Sequence, residues 1–97
     1  MIPTLKEAIK LHQANQLDQA EESYLQIIKN NPNVSEAFQL LGTLYLQKNN
    51  LEKSEEYLLK YLKVNSKSSL ALNNLGILKK KIKNYEKAEY FLKKTIK

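Results

Sequence analysis

The fold class this sequence predicts is an all-α solenoid: three helical hairpins, six antiparallel helices, in one domain over residues 1–97. Three observations predict it. The chain matches itself when shifted by 34 residues, each repeat holds two stretches of helical apolar spacing, and Asn-rich breaks separate those stretches. Between Ser35–Lys63 and Ser69–Lys97, 12 of 29 aligned pairs are identical. Composition alone would give roughly one in ten. Between Met1–Val34 and Ser35–Ser68 the match is 8 of 34, so the first unit has diverged most. The units are therefore 1–34, 35–68 and 69–97, the last without a helix beyond it to cover its end.

Each helix has its own reason. The first is expected over Thr4–Ala14, ending at Asn15-Gln16, and the second over Leu17–Lys29, ending at Asn30-Asn31-Pro32-Asn33. The third runs over Ser35–Lys48, with Phe38, Leu41 and Tyr45 at helical spacing, and stops at Asn49-Asn50. The fourth, Leu51–Val64, carries Leu51, Leu58 and Leu62 and gives way to Asn65-Ser66-Lys67-Ser68. The fifth and sixth, Ser69–Ile82 and Tyr85–Ile96, repeat that pattern with Leu72, Leu75, Leu78 and then Tyr85, Leu92, Ile96. At the breaks, Asn tolerates left-handed backbone, and Ser or Asn caps the helix that follows.

Composition narrows function by exclusion. With no Cys and one His, the chain cannot form disulfides, zinc fingers, iron–sulfur clusters or a catalytic thiol. A hydrophobic content of 42% and a charged content of 27% fit a globular domain, not disorder or a membrane span. Residues Met1–Lys10 lack the apolar run of a secretion signal, so a cytoplasmic location is expected. No catalytic residue, metal site or cofactor is expected. His12 has no nucleophile or carboxylate patterned around it. Gly42 and Gly76 lie 34 residues apart inside helices, where close packing explains them. Glu52, Glu55, Glu56, Glu86 and Glu89 sit near the starts of second helices, where they complement the helix dipole as solvated surface.

The net charge of +6 is unevenly placed: the three units sum to −1, +1 and +6. All sixteen cations are Lys. Without Arg there is no planar fork to grip phosphate, and Tyr85, Tyr90 and Phe91 are needed for packing, so nucleic acid is disfavoured. The cluster running from Lys79, Lys80 and Lys81 through Lys97 suits the steering of an acidic protein segment.

Phe38-x2-Leu41-Gly42-x2-Tyr45, Ser54-x3-Leu58 and Ser66 resemble the tetratricopeptide repeat pattern W-x2-L-G-x2-Y, A-x3-F, P, and the 34-residue period agrees. Unit three supplies Leu72, Leu75, Gly76, Ala88 and Leu92; unit one supplies Ala20, Tyr24 and Pro32 but has Glu7-Ala8 in place of Leu-Gly. Lys79 replaces the Tyr45 equivalent, and Ser66 replaces Pro. The segment Leu11–Glu21, with Pro32 and Leu40-Leu41-Gly42, also looks like the leading repeats of bacterial proteins carrying glycosyltransferase, sulfotransferase or methyltransferase domains.

The resemblance implies a right-handed superhelix whose first helices line a concave groove. Helical phase then puts Ile9 and His12 of unit one, Gln39, Thr43, Leu46 and Gln47 of unit two, and Asn73, Asn74, Ile77 and Lys80 of unit three on that groove, beside Leu5, Gln13, Leu40 and Lys81. The family's carboxylate clamp is missing, since its positions fall on Leu5, Ile9, Leu40, Leu70 and Asn74. Of the family's asparagine ladder only Asn74 remains.

The expected function is a non-enzymatic protein–protein interaction module that binds a peptide or protein segment in the groove. The alternative is an oligomerisation or substrate-presenting arm of a larger enzyme. Ala88, Phe91, Leu92 and Ile96 on the last helix would leave an uncovered apolar face. At ~25 cal/mol/Å², on the order of 300 Å² forgoes ~7 kcal/mol, so truncation or self-association through that end is expected.

Overall fold

The computed structural model describes residues 2–81, which form five helices in chain order. These are α1 (Leu5–Gln13), α2 (Leu17–Asn30), α3 (Ser35–Gln47), α4 (Leu51–Val64) and α5 (Ser69–Lys81). Each packs on the next, and α3 also touches α5, so the first helices of successive repeats lie side by side in an α-solenoid. The expected helix Tyr85–Ile96 and its uncovered face lie outside the described residues. Elsewhere the ends agree to within one residue: Thr4, Ala14 and Lys48 are caps and not helical positions, and α2 runs on to Asn30.

Local chemistry sets these boundaries. Thr4 and Glu7 form a reciprocal capping box: the Glu7 amide donates to Thr4 Oγ1 at 3.1 Å, and the Thr4 amide donates to Glu7 Oε1 at 2.9 Å. The bond from the Thr4 amide holds the Glu7 carboxyl below its ordinary pKa. Asn15 and Asn49 take φ of 62° and 61°, one repeat apart. Each lets the chain close a six-to-one hydrogen bond, Gln16 N–H to Leu11 C=O at 2.9 Å and Asn50 N–H to Tyr45 C=O at 2.8 Å. Asn50 Oδ1 and Ser68 Oγ then accept from the amides of Lys53 and Ala71, capping α4 and α5.

Small residues let the two helices of a hairpin approach. Ala8 and Ala20 are fully buried in the first hairpin. In the second, Ser54 Oγ donates to the Gly42 carbonyl at 2.7 Å. A Cβ on Gly42 would meet Leu58 Cγ at 2.6 Å and Cδ2 at 2.7 Å, so only glycine fits this crossing. Tyr24, Leu41, Leu44 and Leu58 fill the space alongside, all with no appreciable exposure. The tyrosines pack: Tyr24, Tyr45 and Tyr61 are buried, and Tyr57 stacks between Phe38 and Tyr45 at 6.2 and 5.7 Å. Glu56 and Lys60 make an i,i+4 pair at 3.4 Å.

Candidate functional site

Two polar joints between repeats hold the row of first helices in place. At the first, Tyr45 on α3 donates its hydroxyl to Glu21 Oε2 on α2 at 2.8 Å. Lys48 adds bonds to Glu21 Oε1 at 2.8 Å and Asp18 Oδ1 at 2.6 Å. Lys48 holds the exposed Asp18 carboxyl below its ordinary pKa. Glu21 also sits low: burial works against it, but the bonds from Lys48 and Tyr45 prevail. Burial, reinforced by Glu21, pushes the Tyr45 hydroxyl far up.

At the second joint, Lys79 on α5 pairs with Glu55 on α4. Lys79 is Tyr45 plus one repeat, and Glu55 is Glu21 plus one repeat. The same two positions therefore link successive units, first through a phenol and then through an ammonium. This corrects two sequence expectations. Glu55 is a repeat-to-repeat acceptor and not solvated surface. Lys79 is 8% exposed, so it does not belong to the basic field around Lys80 and Lys81. The shift-by-34 alignment contained this signal, in the shared acid at 21 and 55 and the donor at 45 and 79.

The predicted groove residues fall into two groups. Ile9 and His12 come together with Gln13, Asn15, Leu40 and Gln47 around an open cleft of about 390 Å³ between α1 and α3. His12 ties three helices: its Nδ1 faces the buried Tyr24 hydroxyl on α2 at 2.9 Å, and its Nε2 faces Gln47 Oε1 on α3. The Gln47 oxygen accepts, so Nε2–H donates to it, while the Tyr24 hydroxyl can meet Nδ1 as donor or acceptor. Burial pushes the Tyr24 hydroxyl up to about 12. Asn15, the left-handed residue, reaches the cleft rim through its turn and was not among the predicted contacts.

The second group continues the face along α3 and α5. Gln39, Thr43 and Leu46 are half-buried on α3. Asn73 is half-buried, while Ile77 and Lys80 are exposed on α5. Asn74 behaves differently from a free groove amide. It is 7% exposed, and its Nδ2 donates to Thr43 Oγ1 at 3.0 Å, while that hydroxyl donates to the Gln39 carbonyl. Asn74 and Thr43 thus bind α5 to α3 before they meet any ligand. Among the described residues, no group of three or more His, Asp or Glu side chains is placed to hold a metal ion, and no helix is long and apolar enough to cross a membrane.

A family model for the tetratricopeptide repeat matches residues 5–69, which covers most of unit one and all of unit two. The chain belongs to the tetratricopeptide repeat family. Among solved structures, the crystal structure of MamA is similar with a TM-score of 0.85 and 23% identity, covering 99% of this chain and 55% of that one. The MamA RS-1 ArsTM double mutant gives 0.86 and 20%, covering 94% and 51%. This repeat chain spans about half the length of those structures, and at such identities the likeness is one of fold. No curated protein matches it. Membership of the tetratricopeptide repeat family makes the chain, in general terms, a protein-interaction scaffold.

Proposed function

We propose that this tetratricopeptide repeat chain is a non-enzymatic module whose row of first helices, α1, α3 and α5, binds an extended peptide or protein segment. The observation that carries the reading is the cleft between α1 and α3, where Ile9 and Leu40 supply an apolar floor and Gln13, Asn15 and Gln47 supply amides around it. That combination suits a main chain laid across the face: its N–H and C=O groups need partners, and its side chains need intermittent apolar seats. His12, engaged through both nitrogens, serves as a strut and not as a general base. Ile9, His12, Gln39, Thr43, Leu46, Gln47, Asn73, Asn74, Ile77 and Lys80 are the residues assigned to this surface, with His12, Thr43 and Asn74 setting its shape.

The test is capture of peptides from a randomised library by the chain and by its Ile77→Glu variant. Ile77 is exposed, so the substitution leaves helicity intact while placing a charge on the face. Capture should fall at least several-fold; equal capture by both proteins would remove this face from the account.

A further inference from the structure

The face is chemically different at its two ends, and the difference specifies what lies across it. Among the described residues, no Asp, Glu or Lys lines the α1/α3 cleft. A charged side chain seated there would lose water without gaining a counter-ion, so the cleft selects an uncharged, aliphatic one. On α5, by contrast, Lys80 and Lys81 are exposed, and the sequence of this last unit sums to +6 against −1 for the first. That end attracts carboxylates.

Equivalent positions place the two ends in one row. His12, Leu46 and Lys80 are each one repeat apart, as are Gln13, Gln47 and Lys81. The bonds from His12 to Gln47 and from Asn74 to Thr43 tie α1 to α3 and α5 to α3. Packed helix axes lie ~8–10 Å apart, so from the middle of the α1/α3 cleft to α5 is about one and a half spacings, or ~12–15 Å. An extended chain advances ~3.3 Å per residue and covers that span in about four steps.

Resting on the peptide-binding reading above, we propose that the partner is an extended protein segment with one aliphatic residue seated in the α1/α3 cleft. It carries one or more Asp or Glu residues three to five positions away, lying over Lys80 and Lys81. The aliphatic residue fixes register and the carboxylates fix direction. Orientation follows from the asymmetry, because a segment laid the other way would put its acids over a neutral cleft.

The experiment is selection of phage-displayed random dodecapeptides on the full chain at low salt, repeated on the Lys80→Glu/Lys81→Glu variant. Both lysines are exposed, so the variant keeps its fold. The expected pool pairs Leu, Ile or Met with Asp or Glu at the stated spacing. Selection on the charge-reversed variant retains the aliphatic residue and replaces the acids with Lys or Arg. Peptides from the first pool should bind that variant about three- to tenfold more weakly, and molar salt should erase the difference. Peptides that lose binding on Ile77→Glu but carry no acid at a fixed distance would overturn this inference and leave the interaction reading standing. No recovered peptide, or peptides indifferent to both variants, would overturn both.

Discussion

Replacing Glu55 by Ala strands the ammonium of Lys79 between repeats. The Lys79 side chain is 11% exposed and that of Glu55 is 34% exposed, so the pair stands between a surface ion pair and a buried one. Surface pairs contribute ~0–1 kcal/mol, and breaking a fully buried pair costs ~3–5 kcal/mol. The partial water access of Glu55 discounts the second figure, giving an expected loss of about 1–3 kcal/mol for Glu55→Ala. The reverse change, Lys79→Met, leaves a carboxylate that reaches solvent and keeps the apolar stem, so it should cost less than about 1 kcal/mol. In the double variant the stranded charge is gone, and most of the Glu55→Ala loss should return. Because Lys79 occupies the Tyr45 position, Lys79→Tyr should restore the phenol-to-carboxylate link of the first joint and be close to neutral. Urea unfolding of the four proteins reads these differences, and hydrogen exchange locates them at the α4–α5 junction. Equal losses for Glu55→Ala and for the double variant would refute the reasoning, since no stranded charge would then account for the cost.

The other predictions follow from single features. Gly42→Ala gains helix propensity of about 1 kcal/mol but drives a methyl into Leu58, for a net destabilisation of about 1–2 kcal/mol in denaturant melts. Asn49→Ala removes the short polar side chain that lets a residue with a Cβ hold the left-handed turn at φ 61°, costing about 1 kcal/mol, whereas Asn49→Gly should be neutral within a few tenths by the same melts. Asp18 and Glu21 titrate below their unfolded values, so the stability they add is present above about pH 4 and is lost as pH falls through the lowered folded values. Lys48→Met should flatten that acid limb of a stability–pH curve. Tyr24 is pushed up to about 12, so its contribution is complete below about pH 10 and disappears as pH rises toward 12, a loss that alkaline unfolding of Tyr24→Phe should lack.

Helix positions were legible because they rest on local chemistry that sequence states outright. The Asn-rich breaks mark the left-handed turns at Asn15 and Asn49, and Gly42 marks where helices meet closely. The interaction face was less legible. Helical phase identifies which side chains leave the core but not which of them turn to each other, and so it puts Asn74 and Thr43 on the groove without revealing the bond between them. Asn15 was missed because a turn residue has no helical phase to read. Lys79 and Glu55 have a related reason: a charged residue is ordinarily solvated, so the repeat equivalence of these positions with Tyr45 and Glu21 becomes meaningful only once the first joint is seen.

The two joints differ in kind, and the difference bears on the binding face. In a solenoid each repeat contacts only its neighbours, so the geometry of the first-helix row is the sum of the contacts between units. The joint between units one and two has a carboxylate pair, a phenol and an ammonium, and His12 adds a second link from α1 to Gln47. Among the described residues, the joint between units two and three has the Lys79–Glu55 ammonium–carboxylate pair and the Asn74–Thr43 bond. Among the described residues, the cleft thus lies within the more heavily cross-linked half, and Lys80 and Lys81, proposed above to meet a partner's carboxylates, stand on the half with fewer links. A substitution at Glu55 should therefore alter the spacing between cleft and lysines before it alters the cleft. Peptides selected on Glu55→Gln should keep their aliphatic residue and lose the fixed distance to their acids, whereas disruption of Lys48 should weaken seating of the aliphatic residue itself.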